Sequence, residues 1–169
     1  MPCKCKKPVE SYPEVKEWGP VLWKILHGVA ERVGTTPFIG YRADERRALA
    51  NLFTTIGPMI PCPSCKAHFE SYLASNPVKD RIITMPYDDL RLFIRQWFWT
   101  LHNNVNVSKG VALFPEADLP GTYGSINIRM PLSQLQAPMM RAIKITGNQF
   151  MSYQKFNVAV MSLLSIYGL

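Results

Sequence analysis

Two cysteines separated by two residues carry the strongest chemical signal in the sequence. Cys62 and Cys65 lie in the segment PCPSC at the start of a predicted helix. At this spacing the sulfurs meet within one turn, and the amino end of a helix stabilises a thiolate, so the pair can exchange with dithiols. The same spacing occurs in half of a zinc site, which Cys3 and Cys5 would complete with two further thiolates. A thioredoxin-like pair would need a βαβ pattern, which the sequence lacks. The motif alone favours redox exchange and zinc binding equally.

An indole and an imidazole share one face of another predicted helix. Trp23 and His27 are four residues apart in the segment WGPVLWKILH, a spacing that places both side chains on the same side of a helix. Together they could line a flat aromatic ligand. Taken alone, the segment favours a simpler interpretation, in which both residues belong to a stripe that faces the core.

Polar residues interrupt the strongest apolar stripe of the chain, in the segment WFWTLHNNVN. His102 and Asn106 share a face there, with Val105 beside them. Such groups are costly to bury without partners, which suggests a ligand with hydrogen-bonding edges. The alternative is a helix end that reaches solvent, and the segment does not distinguish the two.

Apolar residues at three- and four-residue steps predict the elements that must position these side chains. The pattern indicates helices from about 14 to 34, 44 to 57, 62 to 76 and 86 to 105, with no convincing strand among them. Short loops between helices are typical of a small bundle. The sequence therefore predicts an all-α fold built on a four-helix bundle.

The predicted domain organisation has three parts. Residues 1–13 form a flexible N-terminal arm that contains Cys3 and Cys5, and residues 14–110 form the bundle. Residues 111–169 form a C-terminal extension with a different character. Four prolines and no long periodic run predict loop with short helical turns over 111–149, and a last helix is predicted over 150–169.

Composition excludes several classes of function. The 169 residues carry a net charge of +7, with 47% hydrophobic and 18% charged residues, which indicates a globular protein. No basic stretch with interleaved aromatics is present, so we expect no nucleic-acid partner. No apolar run reaches the roughly 20 residues of a transmembrane helix, and no secretory signal is evident. We therefore expect a cytoplasmic protein.

Taken together, the three segments resemble the Erv/ALR family of FAD-linked sulfhydryl oxidases over about residues 17–110. A W-x-x-L-H helix, a helix-opening CxxC and an H-N-x-V-N segment occur in the family's order, and CPSCKAHF is close to a common version of its active-site segment. Each motif is weak alone, but the ordered combination on an all-helical pattern is specific. The resemblance favours redox chemistry over zinc.

The resemblance implies a four-helix bundle with a short additional helix that holds FAD, usually in a homodimer. Cys65 would lie beside the flavin and Cys62 would exchange with the incoming thiol. Electrons would pass from a thiol-containing protein, or a small thioredoxin-like relay protein, through Cys62–Cys65 to FAD and then to O2, giving H2O2. The remaining positions that match cofactor contacts are Trp23, His27, His102, Asn103, Val105, Asn106 and, offset from the motif, Lys109.

Departures from the family pattern leave alternatives open. No cysteine follows Cys65, so a structural disulfide found in cellular members is absent, and Ile60 stands where an aromatic residue often precedes Pro-Cys. In its low cysteine content and its unexported N-terminus, the chain resembles the oxidases of large DNA viruses. This resemblance would place the protein in host cytoplasm or virion. Cys3 and Cys5 match a shuttle pair on an arm or are ordinary thiols. The rival functions are a four-cysteine zinc module and a non-catalytic structural protein that retains the fold.

Overall fold

The computed structural model describes residues 11–169, and this part of the chain is helical and contains no strand. Four of its helices are the predicted ones, and a four-helix bundle is confirmed as the centre of an all-α fold. In chain order the helices are α1 (Val15–Ala30), α2 (Arg42–Met59), α3 (Pro63–Ser75), α4 (Lys79–Thr84), α5 (Tyr87–Ser108), α6 (Leu119–Tyr123), α7 (Arg129–Thr146) and α8 (Phe150–Ile166).

Local sequence accounts for where the bundle helices begin. Glu14 caps α1 in a reciprocal arrangement with Glu17, whose carboxylate accepts the Glu14 backbone N–H at 2.7 Å. α5 follows Pro86 and carries Asp88 and Asp89 in its first turn, where the helix dipole favours negative charge. These ends agree with the predicted ones within a few residues.

The prediction of loop over residues 111–149 is wrong for α7, an 18-residue helix. The prolines suggested a break, but Pro131 lies in the first turn, where no intrahelical N–H is required. Pro138 does lie in the interior, and the helix continues because this face is buried. Leu135, Met139 and Ala142 pack inward at four- and three-residue steps. The last predicted helix is confirmed as α8.

The two C-terminal helices pack on the bundle, with α7 against α1 and α8 against α2. Phe156, Val160 and Leu163 of α8 are fully buried in one hydrophobic core with Leu49 and Leu52 of α2. The division of the chain at residue 110 stays a prediction. Within residues 11–169, no helix has the length and apolar character required to span a bilayer.

A buried carboxyl ties the extension to the bundle. Glu45 is 0% exposed and accepts three donors: the Gly34 backbone N–H at 2.9 Å, the Tyr167 hydroxyl at 2.9 Å and the Tyr87 hydroxyl. Burial raises the pKa of both tyrosines, and the nearby carboxyl adds to the effect. Both phenols therefore stay protonated and donate at neutral pH.

We predict that Tyr167→Phe lowers the free energy of unfolding by about 1.5–3 kcal/mol, the usual contribution of a hydrogen bond to a charged group. Equilibrium urea denaturation followed by circular dichroism measures the change. Tyr41→Phe removes a hydroxyl from a tyrosine that is 49% exposed, and its effect should stay within about 0.5 kcal/mol. Equal effects of the two substitutions would contradict the role given to Glu45.

Candidate active site

The cysteine pair lies where α2 gives way to α3, and the structure joins Cys62 and Cys65 in a disulfide. Cys62 is the N-cap of α3, and Pro63 is its first helical residue. The Cys65 backbone N–H donates to the Cys62 sulfur at 3.3 Å, and the Ser64 hydroxyl lies 3.3 Å from the same sulfur. Both groups can stabilise a thiolate at Cys62 after reduction.

The two cysteines differ in their relation to the cavity at the centre of the bundle. A volume of about 280 Å³ opens between α1, α2, α3 and α5, and Cys65 lines it while Cys62 does not. Trp18 and Leu22 of α1 contribute one wall, and Ile56 and Leu101 contribute others. The cavity is mostly apolar with a few polar groups, which is typical of a site for a flat organic ligand.

A second cavity of about 510 Å³ adjoins the first, because Trp23, Val105 and Lys109 line both. His102 and Asn106 border only this outer cavity. Its rim also includes the side chains of Lys16 and Lys24 from α1. Taken together, the two volumes fall within the range of about 300–1,000 Å³ that small-molecule sites occupy in proteins.

Four rings form a continuous group beside the outer cavity. The Trp23 ring stacks on His102 with centroids 4.2 Å apart, and the Tyr123 ring stacks on His27 at 4.6 Å. The two imidazoles meet through His27 Nε2 and His102 Nδ1, which are 3.0 Å apart. One proton therefore bridges the pair.

Burial keeps both histidines neutral. It lowers the pKa of His27 to about 3, with a further contribution from His102, and lowers the pKa of His102 to about 4, with a further contribution from Lys109. His27 is only 1% exposed. A second proton would place a charge on stacked rings that burial shields from most of the solvent, so the neutral forms persist near pH 7.

The structure brings most of the predicted site residues together. Trp23, Val105 and Lys109 line both cavities, and His102 and Asn106 line the outer one, whereas His27 lies behind them under Tyr123. That each contacts a cofactor stays a prediction. Cys3 and Cys5 lie outside the described residues.

Asn103 is turned away from both cavities. Its Oδ1 accepts the Phe114 backbone N–H at 2.8 Å, and its Nδ2 donates to the Phe114 carbonyl at 3.1 Å. The Trp99 indole N–H donates to the same carbonyl at 2.8 Å. Asn103 therefore holds the segment after α5 against the site, and its predicted contact with a cofactor stays a prediction.

Two residues of the site are not among those that the sequence predicts for it. Tyr123 is on the short helix α6, in a segment without recognisable periodicity, and only the chain's return to α1 places it over His27. Trp18 belongs to the predicted apolar stripe of α1, but it also lines the inner cavity. Its indole N–H and the Nδ1 of His27 are buried with no hydrogen-bond partner among residues 11–169. A polar ligand at the cavity would give the indole N–H an acceptor.

The disulfide argues against zinc ligation by Cys62 and Cys65 in this state. Cys62 and Cys65 are joined to each other, so neither is a thiolate ligand in this state. Across the described part of the chain, no group of three or more His, Cys, Asp or Glu side chains could hold a metal ion.

We predict that the neutral histidine pair makes folding sensitive to acid. Both folded-state pKa values are below the ordinary value of 6.5, so the unfolded chain binds more protons and stability falls as the pH drops from 6.5 towards these values. Between about pH 6 and pH 5, unfolding should take up about one proton more in the wild type than in His102→Gln. Urea denaturation at a series of pH values measures the difference.

Asn104→Ala is the control for this comparison, because Asn104 is exposed on the same helix and does not titrate. It should retain the pH dependence of the wild type. The same dependence in His102→Gln as in the wild type would show that His102 is protonated in the folded state.

Comparison with known proteins agrees with this geometry. The model of the Erv1 / Alr family matches residues 20–122. The FAD-linked sulfhydryl oxidase ERV1 of Oryza sativa subsp. japonica is 29% identical over 123 residues, which are 72% of this chain and 57% of that protein. Its counterpart in Arabidopsis thaliana is 26% identical over 129 residues, 76% of this chain and 61% of the relative.

A viral protein is also similar. The FAD-linked sulfhydryl oxidase of African swine fever virus (isolate Tick/Malawi/Lil 20-1/1983) is 29% identical over 89 residues, which are 53% of this chain and 65% of the viral protein. This chain thus spans about three-fifths of the length of the curated relatives that it matches. No solved structure matches it significantly. Because the family model covers more than half of the chain, and the disulfide and both histidines lie within the matched range, the chain belongs to the Erv1/Alr family.

Proposed function

We propose that this protein is an FAD-dependent thiol oxidase that forms disulfides in its substrates. Overall, two thiols and one O2 give one disulfide and one H2O2. The observation that carries the proposal is the division between the two sulfurs: Cys65 lines the cavity, and Cys62 caps the helix outside it. A disulfide placed in this way can receive electrons on one side and deliver them on the other.

The residues around the cavities fit a flavin dinucleotide. The inner cavity is mostly apolar and is flanked by Cys65 and by the indole N–H of Trp18, which has no hydrogen-bond partner among residues 11–169. These features suit a flat ring with polar edges. The outer cavity offers Asn106 and the cations Lys16, Lys24 and Lys109, which suit a pyrophosphate. Bound FAD would supply a two-electron acceptor and the reaction with dioxygen.

The cysteines carry out the exchange. A substrate thiolate attacks the Cys62 sulfur, the bond to Cys65 breaks, and Cys65 leaves as a thiolate that faces the cavity. The second substrate thiolate attacks the substrate sulfur of the mixed disulfide, and Cys62 leaves as a thiolate. The Cys65 backbone N–H and the Ser64 hydroxyl stabilise that charge. The substrate is now a disulfide, and the cysteine pair holds two additional electrons.

The stacked rings exclude water from one side of the site. Neutral His27 and His102 fill the space between Trp23 and Tyr123 without bringing in a charge. Asn103 holds the segment that leads to Tyr123 through two hydrogen bonds to Phe114. These residues act on the shape and dryness of the cavity rather than on the sulfurs.

The substrates in this proposal are thiol-containing proteins or a small dithiol relay protein, and Cys3 and Cys5 serve as an internal shuttle. The position of Tyr12 supports the shuttle, because its hydroxyl donates to the Pro61 carbonyl at 2.7 Å, next to Cys62. The chain from Tyr12 back to Cys5 is seven residues long and can span up to about 25 Å. The cysteines are therefore within reach of the active-site disulfide.

The homodimer and the compartment rest on the family resemblance. α7 covers part of α1 and α8 covers part of α2, so a dimer would use other faces of the bundle. We propose host cytoplasm or virion as the location, following the similarity to the viral oxidase.

We predict that the purified protein is yellow, with an absorbance maximum at about 450 nm, and that it consumes O2 when a dithiol is added. Cys65→Ala should lower turnover with dithiothreitol by about a thousandfold or more, because it removes the sulfur that faces the cavity. Oxygen uptake measures the rate, and Cys3→Ser is the matched control, with turnover equal to that of the wild type. A colourless protein with stoichiometric zinc would overturn the proposal, and a yellow protein without oxygen uptake would indicate a structural role.

We further predict that Cys3→Ser slows oxidation of a reduced protein substrate by about tenfold, because a tethered shuttle raises the local concentration of thiol at Cys62. Reduced ribonuclease is a suitable protein substrate, and the measurement is oxygen uptake at equal thiol concentration. Dithiothreitol reaches Cys62 directly, so its rate should not change. Unchanged turnover with the protein substrate would rule out the shuttle.

A further inference from the structure

Ile60 and Pro61 form the link between α2 and α3, immediately before the reactive cysteine. Hydrogen bonds from outside the bundle hold this link. The Gln149 side-chain amide donates to the Ile60 carbonyl at 3.2 Å, and the Tyr12 hydroxyl donates to the Pro61 carbonyl at 2.7 Å. Both donors are distant in sequence, and neither lies in the range that matches the family. Two consecutive carbonyls before Cys62 are therefore tied to parts of the chain that the family domain does not include.

The composition of this link makes its carbonyls the available points of attachment. Pro61 and Pro63 have no backbone N–H, and the Ile60 N–H already donates to the Gly57 carbonyl at 3.2 Å. These backbone nitrogens have no free N–H to donate. The link is therefore held in place by hydrogen bonds that its carbonyls accept from other parts of the chain. Because Cys62 follows directly as the N-cap of α3, the position of the link sets the direction of its sulfur.

Gln149 has a backbone conformation that favours glycine. Its φ is +72°, and among the described residues it is the one non-glycine residue with positive φ, a region that costs free energy for an L side chain. It occupies the N-cap position of α8, but its side chain does not cap that helix. Its amide reaches Ile60 instead, which glycine in the same backbone position could not do.

Gln149 is less exposed to solvent than the residues on either side of it. Asn148 and Phe150 are exposed, whereas Gln149 is half-buried. Gly147 also has positive φ, so the α7–α8 turn is a tight reversal between two long helices. α7 packs on α1, and α8 packs on α2. The turn between them is therefore held in place next to the link that precedes Cys62.

We propose that Gln149 is a positioning residue for Cys62, through which the α7–α8 turn holds the active-site link. The inference rests on the proposed thiol oxidase function and gives the C-terminal extension a role in it. With the link held, the Cys62 sulfur stays within bonding reach of Cys65 and presents its outer side to the incoming thiol. With the link released, the two thiols meet less often and the disulfide is easier to reduce.

The test compares Gln149→Gly with the wild type in the full-length, cofactor-loaded protein. Anaerobic equilibration in dithiothreitol buffers, alkylation and mass spectrometry of the Cys62–Cys65 peptide give the oxidation equilibrium without relying on turnover. We expect the equilibrium constant for disulfide formation to fall about fivefold, the usual scale for one hydrogen bond. This corresponds to a reduction potential about 20 mV higher. Tm should be unchanged or higher, because glycine suits positive φ.

Two further variants make the comparison specific. Gln149→Asn retains an amide and tolerates positive φ, but it is one methylene too short to reach Ile60, so it should behave like Gln149→Gly. Asn148→Ala changes an exposed amide beside it and should behave like the wild type.

Each outcome bears on the inference. An unchanged equilibrium in both Gln149 variants overturns it, and so does an equal shift in Asn148→Ala. A shift that accompanies a lower Tm also overturns it, since Gln149 would then only stabilise the fold. A shift in the two Gln149 variants alone supports it, even if the wild type consumes no oxygen, in which case the proposed function fails and the positioning role stands.

Discussion

The opening of α3 is the constraint on which the rest of the site depends. A cysteine at the N-cap places its sulfur over the free N–H groups of the first turn, and a cysteine three residues later comes back beside it. Cys62 therefore lies at the end of the helix, while Cys65 lines the cavity inside the bundle. Residues of α1 and α5 line the other sides of the cavity beside Cys65. In the proposed function, the direction of electron flow follows from that single turn of helix.

The second requirement is to exclude water from a site that contains polar side chains, at a small cost in free energy. His27 and His102 interrupt an apolar interface, and each would carry a heavy desolvation penalty if charged. Pairing them leaves one shared proton and no net charge, and Trp23 and Tyr123 cover their ring faces. The arrangement leaves His27 Nδ1 without a partner in the described structure.

The C-terminal extension is joined to the bundle by core packing and by hydrogen bonds. α7 and α8 extend the hydrophobic core of α1 and α2, and Tyr167 reaches the buried carboxyl of Glu45. Their connecting turn contacts the segment that precedes the disulfide, through the hydrogen bond from Gln149 to Ile60. An extension that contributed stability alone would not need a half-buried amide at a position suited to glycine. The same helices also occupy faces of the bundle that would otherwise be open to partners.

Local pattern determined much of this protein. Helical periodicity predicted the four bundle helices and α8, since a buried face repeats every three to four residues whatever it packs against. The spacing of Cys62 and Cys65 on a helix start predicted redox chemistry, and the ordered motifs predicted the family. The local pattern does not predict α7, because proline indicates a break, whereas burial of one face of the helix offsets the lost hydrogen bond of Pro138. Only the tertiary structure decided that Tyr123 covers His27, that Asn103 binds the backbone of Phe114, and that Gln149 reaches Ile60. Those contacts join residues far apart in sequence, and the free energy that selects them comes from packing, which no local pattern encodes.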